Sequence, residues 1–286
     1  MALVRLWNES GKFKLGASIT LLLILVALLK QPLLNWRLGS DINPMREASF
    51  PIFLDPSWDH PLGTDRFGRD VLGLVLIGLP VSLKVAFIAG GLSTLVGSLV
   101  GFVSGYKGGK IDTILRTITD AFLVIPSLPL IIILAAYSRN LTSFQLALVL
   151  SVFSWPFAAR TIRSQVLSLR ERPYIELAKM TNMSDREIII QEVFPNMAPY
   201  VAIGFAGASV GAAFSLVGLT VLGLAPSNQM DLGTLISLAW GWGVISLGKE
   251  VIFAAPMTLL MLLFVGLALC QQGMEEFFNP RLRAQS

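Results

Sequence analysis

Few residues of this chain have the types and spacing that catalysis needs. Residues 207–211 read G-A-S-V-G, which fits the G-x-S-x-G pattern of a nucleophilic serine in hydrolases. Such a serine needs a base within hydrogen-bond reach, and the only histidine, His60, is expected on the outer side, far from the middle of the apolar segment that holds this serine. The sequence contains neither H-E-x-x-H nor the phosphate-binding G-x-x-x-x-G-K-[ST]. We therefore expect no catalytic site, no metal or other cofactor on this chain, and no ATP hydrolysis by it.

A second set of charged residues is spaced for ion pairing between helices. Asp112, Arg116 and Asp120 recur at i, i+4 and i+8, so a helix would place them on one face. They lie in an apolar part of the chain, where a charge is costly unless it is paired or hydrated. Arg160 and Arg163, near the inner end of the next apolar segment, are candidate partners. These residues predict ion pairs between two helices. The pairs would either open during transport, as a latch, or form a static contact that sets the register of the helices.

A third polar set forms a charged segment, residues 174–200, in the middle of the chain. Its first part carries apolar residues at helical spacing, and Ser184 with Glu187 three residues later predicts a capping box for a second helix. Asn182 lies between the two parts, and asparagine tolerates the left-handed conformation in which helices often end. The segment is therefore predicted as helix, sharp turn and helix, with Pro195 starting the next apolar helix.

The elements that position these residues are predicted to be membrane spans. The chain is 54% hydrophobic and 14% charged with a mean hydropathy of +0.69, whereas soluble domains carry about 25% charged residues. A spanning helix needs roughly 20 mostly apolar residues. Six segments qualify, at about 14–31, 81–105, 114–137, 144–166, 197–222 and 250–271. The predicted fold is an all-α polytopic membrane protein with six transmembrane helices in a single domain, 1–286.

The distribution of lysine and arginine predicts the orientation of the spans. Cytoplasmic segments carry an excess of both residues, and most of the 22 in this chain fall on the side of the N-terminus. We therefore predict that both termini are cytoplasmic and that residues 167–195 form a cytoplasmic loop. Residues 32–80 then form an extracytoplasmic segment that ends in a turn and an interfacial helix capped by Thr64 or Asp65.

Two further patterns predict how the spans bend and pack. Pro126 and Pro129 interrupt the third span and predict a kink, serving either a transport path or packing alone. Residues 97–101 and 207–211 have glycines four positions apart, which lets two helices approach closely. One interpretation is that both glycine pairs serve packing within the chain. The alternative places the fifth span at an interface with a partner subunit.

The charged segment resembles a known family motif. E-L-A-K-M-T-N at 176–182, followed by I-I-I-x-x-V-F-P-N at 188–196, is similar to the E-A-A loop of ABC importer permeases. H-P-L-G-T-D-R-F-G-R-D-V-L at 60–72, G-Y-K-G-G-K-I-D at 105–112 and N-P-R-L-R at 279–283 resemble signatures of the dipeptide, oligopeptide and nickel branch, specifically its C-type permeases. Asn182 replaces the glycine of the usual loop motif.

The resemblance implies partners and site residues. It implies a homologous permease subunit, two cytoplasmic ABC ATPases that bind ATP and Mg²⁺, and an extracytoplasmic substrate-binding protein, all at the plasma (inner) membrane of a prokaryote. Membrane lipid surrounds the chain, and no nucleic acid is expected. The residues expected to contact an ATPase are Glu176, Ala178, Lys179, Met180, Asn182 and Met183. The residues expected to form ion pairs at an inner gate are Asp112, Arg116, Asp120, Arg160 and Arg163.

The resemblance is less specific about cargo. It ranks di- and oligopeptides first, oligosaccharides second and nickel third. An ATP-independent secondary transporter or channel is the alternative from another class. Such a protein should show inverted repeats, and none is evident in the sequence.

Overall fold

The computed structural model describes residues 2–39, 43–137, 141–224 and 229–278. The helices in chain order are α1 (Ala2–Glu9), α2 (Gly11–Leu28), α3 (Lys30–Leu38), α4 (Val71–Lys107), α5 (Gly109–Val124), α6 (Ser127–Tyr137), α7 (Ser143–Arg170), α8 (Pro173–Met180), α9 (Asp185–Glu187), α10 (Phe194–Val221), α11 (Leu232–Gly241) and α12 (Glu250–Phe278). A π-helical turn, Ile188–Val193, lies between α9 and α10. The predicted N-P-R-L-R signature at 279–283 falls outside the described residues.

The number of apolar helices agrees with the predicted spans. Within the described residues, five helices are long and apolar enough to cross a membrane. The count rises to six if α5 and α6 form one span, and these two meet at an angle of 74°. The bend falls at Ile125–Pro126, where the proline interrupts the helix as predicted. The all-α multi-pass fold is thus confirmed, while its orientation stays a prediction.

The helix predicted at the end of residues 32–80 begins at Val71 and continues into the second span, and the prediction that Thr64 or Asp65 caps it is wrong. α4 is one continuous helix from Val71 to Lys107, with Pro80 inside it. A proline removes one helical hydrogen bond, but Leu74 and Leu79 in the turns before it are buried in the core and hold those turns in place. The capping residue is Asp70, whose side chain accepts a hydrogen bond from the backbone N–H of Gly73 at 2.8 Å.

Thr64 and Asp65, which the sequence suggested as caps, instead build the turn before α4. Thr64 Oγ1 donates to the carbonyl of Pro51 at 2.6 Å. Asp65 accepts from the backbone N–H of Arg69 at 2.9 Å and pairs with the Arg69 guanidinium at 2.7 Å. His60 Nδ1 lies 2.8 Å from an oxygen of Asp70. These contacts fold the segment into a compact turn on the end of α4.

The core surrounds α4, which packs closely against α7. A Cβ added to Gly97 would lie 2.5 Å from Ala158 Cβ and 2.6 Å from the Trp155 carbonyl, so only glycine permits this approach. The second glycine pair behaves differently. Gly207 faces the side chain of Gln271, and nothing in the described structure lies within 4 Å of a Cβ at Gly211. The proposed partner interface on the fifth span therefore remains a prediction.

A buried carboxylate caps the short helix α11, which contacts α4. Asp231 is fully buried and accepts hydrogen bonds from the N–H groups of Gly233 at 2.7 Å and Thr234 at 3.1 Å, which makes it the N-cap. Burial raises the pKa of Asp231, and the hydrogen bonds from Thr234 and Gly233 offset part of that rise. The N–H of Leu232 donates to Ser82 Oγ on α4 at 3.1 Å.

Candidate coupling loop and inner-gate ion pairs

The charged segment folds as two short helices separated by a sharp turn. α8 has Pro173 at its N-terminus, where a missing N–H costs nothing, and ends at Met180. Asn182 adopts φ +60°, the left-handed conformation that the sequence predicted. Ser184 Oγ accepts from the N–H of Glu187, and the Glu187 carboxylate accepts from the N–H of Ser184 at 2.8 Å. The predicted turn and capping box are confirmed.

One face of α8 is buried against the ends of the spans. We call this contact the anchor cluster, and its buried members are Phe102, Tyr106, Ile162, Val166, Ile175, Ala178, Ile188, Val193 and Met197. Ile175 of α8 and Ile188 of the π-helical turn are both completely buried. The cluster joins α8 to α4, α7 and α10, so α8 is held to three helices by apolar packing.

The opposite face of α8 is exposed. Glu176 points away from the anchor cluster, with Leu177 63% and Met180 80% exposed beside it, while Lys179 is exposed and its Nζ lies 5.9 Å from the centre of the Tyr106 ring. Of the predicted contact residues, Ala178 and Met183 face the anchor cluster instead. Leu177 is the exposed residue that the sequence analysis missed. Its position one turn before Met180, at i and i+3, was the available signal.

The second arm of the loop is continuous with the fifth span. The helix does not begin at Pro195 as predicted, because α9, the π-helical turn and α10 form one uninterrupted helix from Asp185 to Val221. In a regular α-helix the Pro195 ring would clash with the carbonyl four residues earlier. The wider π-helical turn immediately before α10 relieves that contact, and the N–H of Phe194 bonds to the carbonyl of Ile189, five residues back.

An ion pair with two hydrogen bonds ties α5 to α7. Arg163 Nε and Nη2 donate to the two oxygens of Asp112 at 2.5 and 2.6 Å. Ser104 Oγ of α4 donates to the same carboxylate at 2.5 Å. Both charged side chains are mostly buried. Asp112 is therefore a contact point of three helices, α4, α5 and α7.

A second carboxylate on α5 is shared between two arginines. Asp120 accepts from Arg160 Nη2 of α7 at 2.6 Å, and Arg116 Nε of its own helix lies 3.5 Å from its other oxygen. The structure thus brings all five predicted gate residues into two neighbouring groups. Both arginine side chains are more than 60% exposed.

The packing of α5 is consistent with a movable element. Thr119 is the only residue of α5 that is buried. Gly108 and Gly109 precede the body of the helix with φ of +66° and +58°, and the 74° bend follows its end. α5 therefore lies between a glycine turn and a sharp bend, and it contacts α7 through the two ion pairs and through Phe122 packed on Trp155.

The G-A-S-V-G sequence is part of a helix contact. Ser209 is fully buried in α10, and a Cβ at Gly90 of α4 would lie 2.2 Å from its Oγ. Ser209 Oγ has no hydrogen-bond partner among the described residues. His60 lies in the turn before α4. The position of Ser209 is explained by close packing of α4 on α10.

The sequence matches a family of transport proteins. The model of the family described as "Binding-protein-dependent transport system inner membrane component" matches residues 97–284. The oligopeptide transport system permease protein OppC of Mycobacterium tuberculosis (strain ATCC 25618 / H37Rv) is 32% identical over 237 residues, 80% of this chain and 78% of that protein. The dipeptide transport system permease protein DppC of Alkalihalophilus pseudofirmus is 31% identical over 280 residues, 94% of this chain and 86% of that protein.

The fold also resembles a solved structure. A chain of the MetNI methionine ABC transporter, in an inward-facing conformation, superimposes with a TM-score of 0.56. The match covers 72% of this chain and 95% of that chain at 18% sequence identity. At this identity the likeness shows a common fold.

Proposed function

Because this chain belongs to the family of binding-protein-dependent transport system inner membrane components, we propose that it is a permease subunit of an ABC importer. It forms half of the pathway and a homologous permease subunit forms the other half. Two cytoplasmic ATPases bind ATP and Mg²⁺, and an extracytoplasmic binding protein delivers the cargo. This chain contributes no catalytic group and holds no cofactor.

We propose that the cargo is a di- or oligopeptide. The support is that curated relatives named as oligopeptide and dipeptide permeases align with most of the chain. Selectivity in such a system lies mostly with the binding protein, so peptide length is set outside this subunit.

The observation that carries the proposal is that α8 is buried on one face and exposed on the other. Its outer face presents Glu176, Leu177 and Met180, which suits docking into a groove on an ATPase. Its inner face is fixed in the anchor cluster. Because packed apolar interiors resist compression and transmit strain, displacement of α8 must move the attached ends of α4, α7 and α10. Closure of the ATPases on ATP thereby changes the opening between the two permeases.

We propose that α5 is the gate element that responds to this displacement. The Asp112–Arg163 pair retains one end of α5 on α7, since it is mostly buried and makes two hydrogen bonds. The exposed Asp120–Arg160 pair separates during this movement and frees the other end of α5 from α7. Arg116 lies close enough to Asp120 to keep that carboxylate paired when α5 leaves α7.

Charge reversal on α8 tests the coupling assignment. We expect Glu176→Lys to lower ATPase co-purification at least tenfold, or to abolish ATP-driven uptake, because the exposed face of α8 would then carry two positive charges. Glu250→Lys, the same change at the exposed start of α12, should leave both unchanged. The measurements are subunit stoichiometry and uptake in proteoliposomes. Normal assembly and uptake with Glu176→Lys would show that this face does not couple.

A further inference from the structure

A groove of about 510 Å³ runs along α10. Its lining comes from α10, α7, the end of α12 and the first residue of α6. On α10 the lining extends from Tyr200 to Ser215, which is about 22 Å at 1.5 Å per residue. An extended peptide rises about 3.3 Å per residue, so a peptide of several residues fits along the groove.

The floor of the groove is the backbone of α10. Apart from that backbone itself, nothing in the described structure lies within 4 Å of a Cβ placed on Gly204 or Gly211. At Gly207, between them, the nearest atom is Gln271 Oε1 of α12 at 3.2 Å. Because glycine carries no side chain, another backbone can approach such a surface closely. An extended main chain can therefore lie directly against α10.

The hydroxyl groups of the groove are placed as hydrogen-bond acceptors. Ser154 and Thr161 of α7 and Ser215 of α10 each donate their hydrogen to a carbonyl of their own helix, at 2.9, 3.0 and 2.9 Å. A hydroxyl has one hydrogen and two lone pairs, so these oxygens can only accept from a molecule in the groove. The lining therefore favours a molecule that brings N–H donors.

The groove also carries a negative charge. Glu275 of α12 is the one charged residue in the lining among the described residues. Its Oε1 accepts from Gln271 Nε2 at 3.0 Å, and it forms no ion pair within the described part of the chain. The adjacent Glu276, by contrast, pairs with Lys12. Since a carboxylate on a membrane helix is costly unless it is paired or hydrated, Glu275 is suited to a cationic group from outside the chain.

We infer that this groove holds the peptide during transport and that Glu275 binds its N-terminal ammonium group. The inference rests on the proposed function as a peptide permease. Gln271 orients the carboxylate through its hydrogen bond. The peptide main chain runs along α10 past Gly207 and Gly211, and its N–H groups donate to the hydroxyl oxygens.

Charge makes this recognition one-sided. A peptide brings an ammonium group at its N-terminus, whereas an oligosaccharide brings no cation. The lining holds no lysine or arginine among the described residues, so the C-terminal carboxylate of the peptide gains no partner there. Acetylation of the N-terminus should therefore weaken binding, and amidation of the C-terminus should not.

Protection of an introduced cysteine tests the inference. In a Cys270→Ser background, Gly211→Cys places a thiol in the groove one helical turn, about 6 Å, from Gly207, which is within reach of a tripeptide bound at Glu275. The purified complex, without nucleotide or binding protein, reacts with N-ethylmaleimide, and mass spectrometry follows alkylation of this chain. We expect millimolar trialanine and its C-terminal amide to slow alkylation at least fivefold, and N-acetyltrialanine to leave the rate unchanged.

Two variants of α12 show whether the carboxylate is responsible. In the same background, Glu275→Gln should abolish protection by trialanine, because a neutral amide forms no ion pair with an ammonium group. Glu250→Gln removes the same charge from the exposed start of α12, outside the groove, and should keep the protection. If Glu275→Gln is not recovered, the comparison of trialanine with N-acetyltrialanine on the chain that keeps Glu275 decides the matter.

Four results would overturn the inference. These are equal rates with trialanine and N-acetyltrialanine, unchanged protection in Glu275→Gln, and protection by millimolar methylammonium, which would indicate a site for free cations. The fourth is a thiol that never reacts, which would show that another subunit or lipid fills the groove. The measurement needs no ATP, so its failure leaves ATP-driven uptake, the test of the proposed function, unaffected.

Discussion

At the scale of single residues, the two carboxylates of α5 have different surroundings. Asp112 accepts hydrogen bonds from Arg163 of α7 and Ser104 of α4, and little of its side chain is exposed. Asp120 lies about two turns further along the same face of α5, is more exposed and contacts two arginines. Exposed ion pairs contribute little to stability, whereas a desolvated and hydrogen-bonded pair costs more to break. The first carboxylate is therefore expected to act in stability and the second in movement.

Neutralising each carboxylate separates these two roles. We expect Asp112→Asn to destabilise the protein by about 1–3 kcal/mol, because hydrogen bonds to charged groups contribute that much. Asp120→Asn should leave the melting temperature nearly unchanged but alter ATP-driven uptake. Thermal unfolding in detergent and uptake in proteoliposomes measure the two effects. If Asp120→Asn is the more destabilising variant, the role in stability belongs to Asp120 and the role in movement to Asp112.

At the scale of elements, the contact between α4 and α7 depends on a row of glycines. Gly97, Gly101 and Gly105 recur every four residues along α4, and a Cβ on any of them would come within 3.0 Å of α7. The sequence pattern identified the first two, and the structure adds Gly105 against Val166. The row brings Ser104 and Arg163 into reach of Asp112, so helix packing positions the ion pair.

An added methyl group tests this contact. Gly97→Ala should destabilise the protein by about 1–3 kcal/mol, because the nearest atoms are a backbone carbonyl and a Cβ that cannot yield easily. Gly91→Ala on the same helix is the matched control, since its Cβ would meet only Phe205 at 3.8 Å. Melting temperatures of both variants in detergent provide the comparison. Equal melting temperatures would mean that α4 and α7 can separate without cost.

At the scale of the whole molecule, α4 links two surfaces. Its 37 residues extend about 55 Å at 1.5 Å per residue. At its start, the turn before α4 is held to the α11–α12 end by the Asp55–Lys249 ion pair at 2.6 Å and by Phe67 packed on Trp242. At its other end, Tyr106 lies in the anchor cluster below Lys179 of α8. The segment predicted to be extracytoplasmic and the coupling loop are therefore at opposite ends of α4.

Single cysteines test the predicted orientation of these ends. In a Cys270→Ser background, Arg186→Cys, at an exposed residue of the coupling loop outside the predicted ATPase contact, should react with a membrane-impermeant maleimide only after the cells are opened. Trp58→Cys, at a residue 93% exposed before α4, should react in intact cells. The measurement is labelling with and without permeabilisation. The opposite pattern would place the coupling loop outside and remove the basis of the proposed function.

The features that the sequence determined by itself depend on residues that lie close together along the chain. Hydropathy identified the spans, because each span needs only its own composition to enter a bilayer. The turn of the coupling loop followed from Asn182, Ser184 and Glu187, whose roles depend on neighbours within a few residues. The ordered motifs pointed to the family for the same reason, since they are read along the chain.

Tertiary structure alone decided the rest. It made Val71–Lys107 one helix, because burial of Leu74 and Leu79 compensates for Pro80. It showed which face of α8 is buried, and it assigned Asp112 to Arg163 and Asp120 to Arg160. Each of these outcomes depends on which helix faces meet, and partners 40 or more residues apart leave no periodic signal in the sequence.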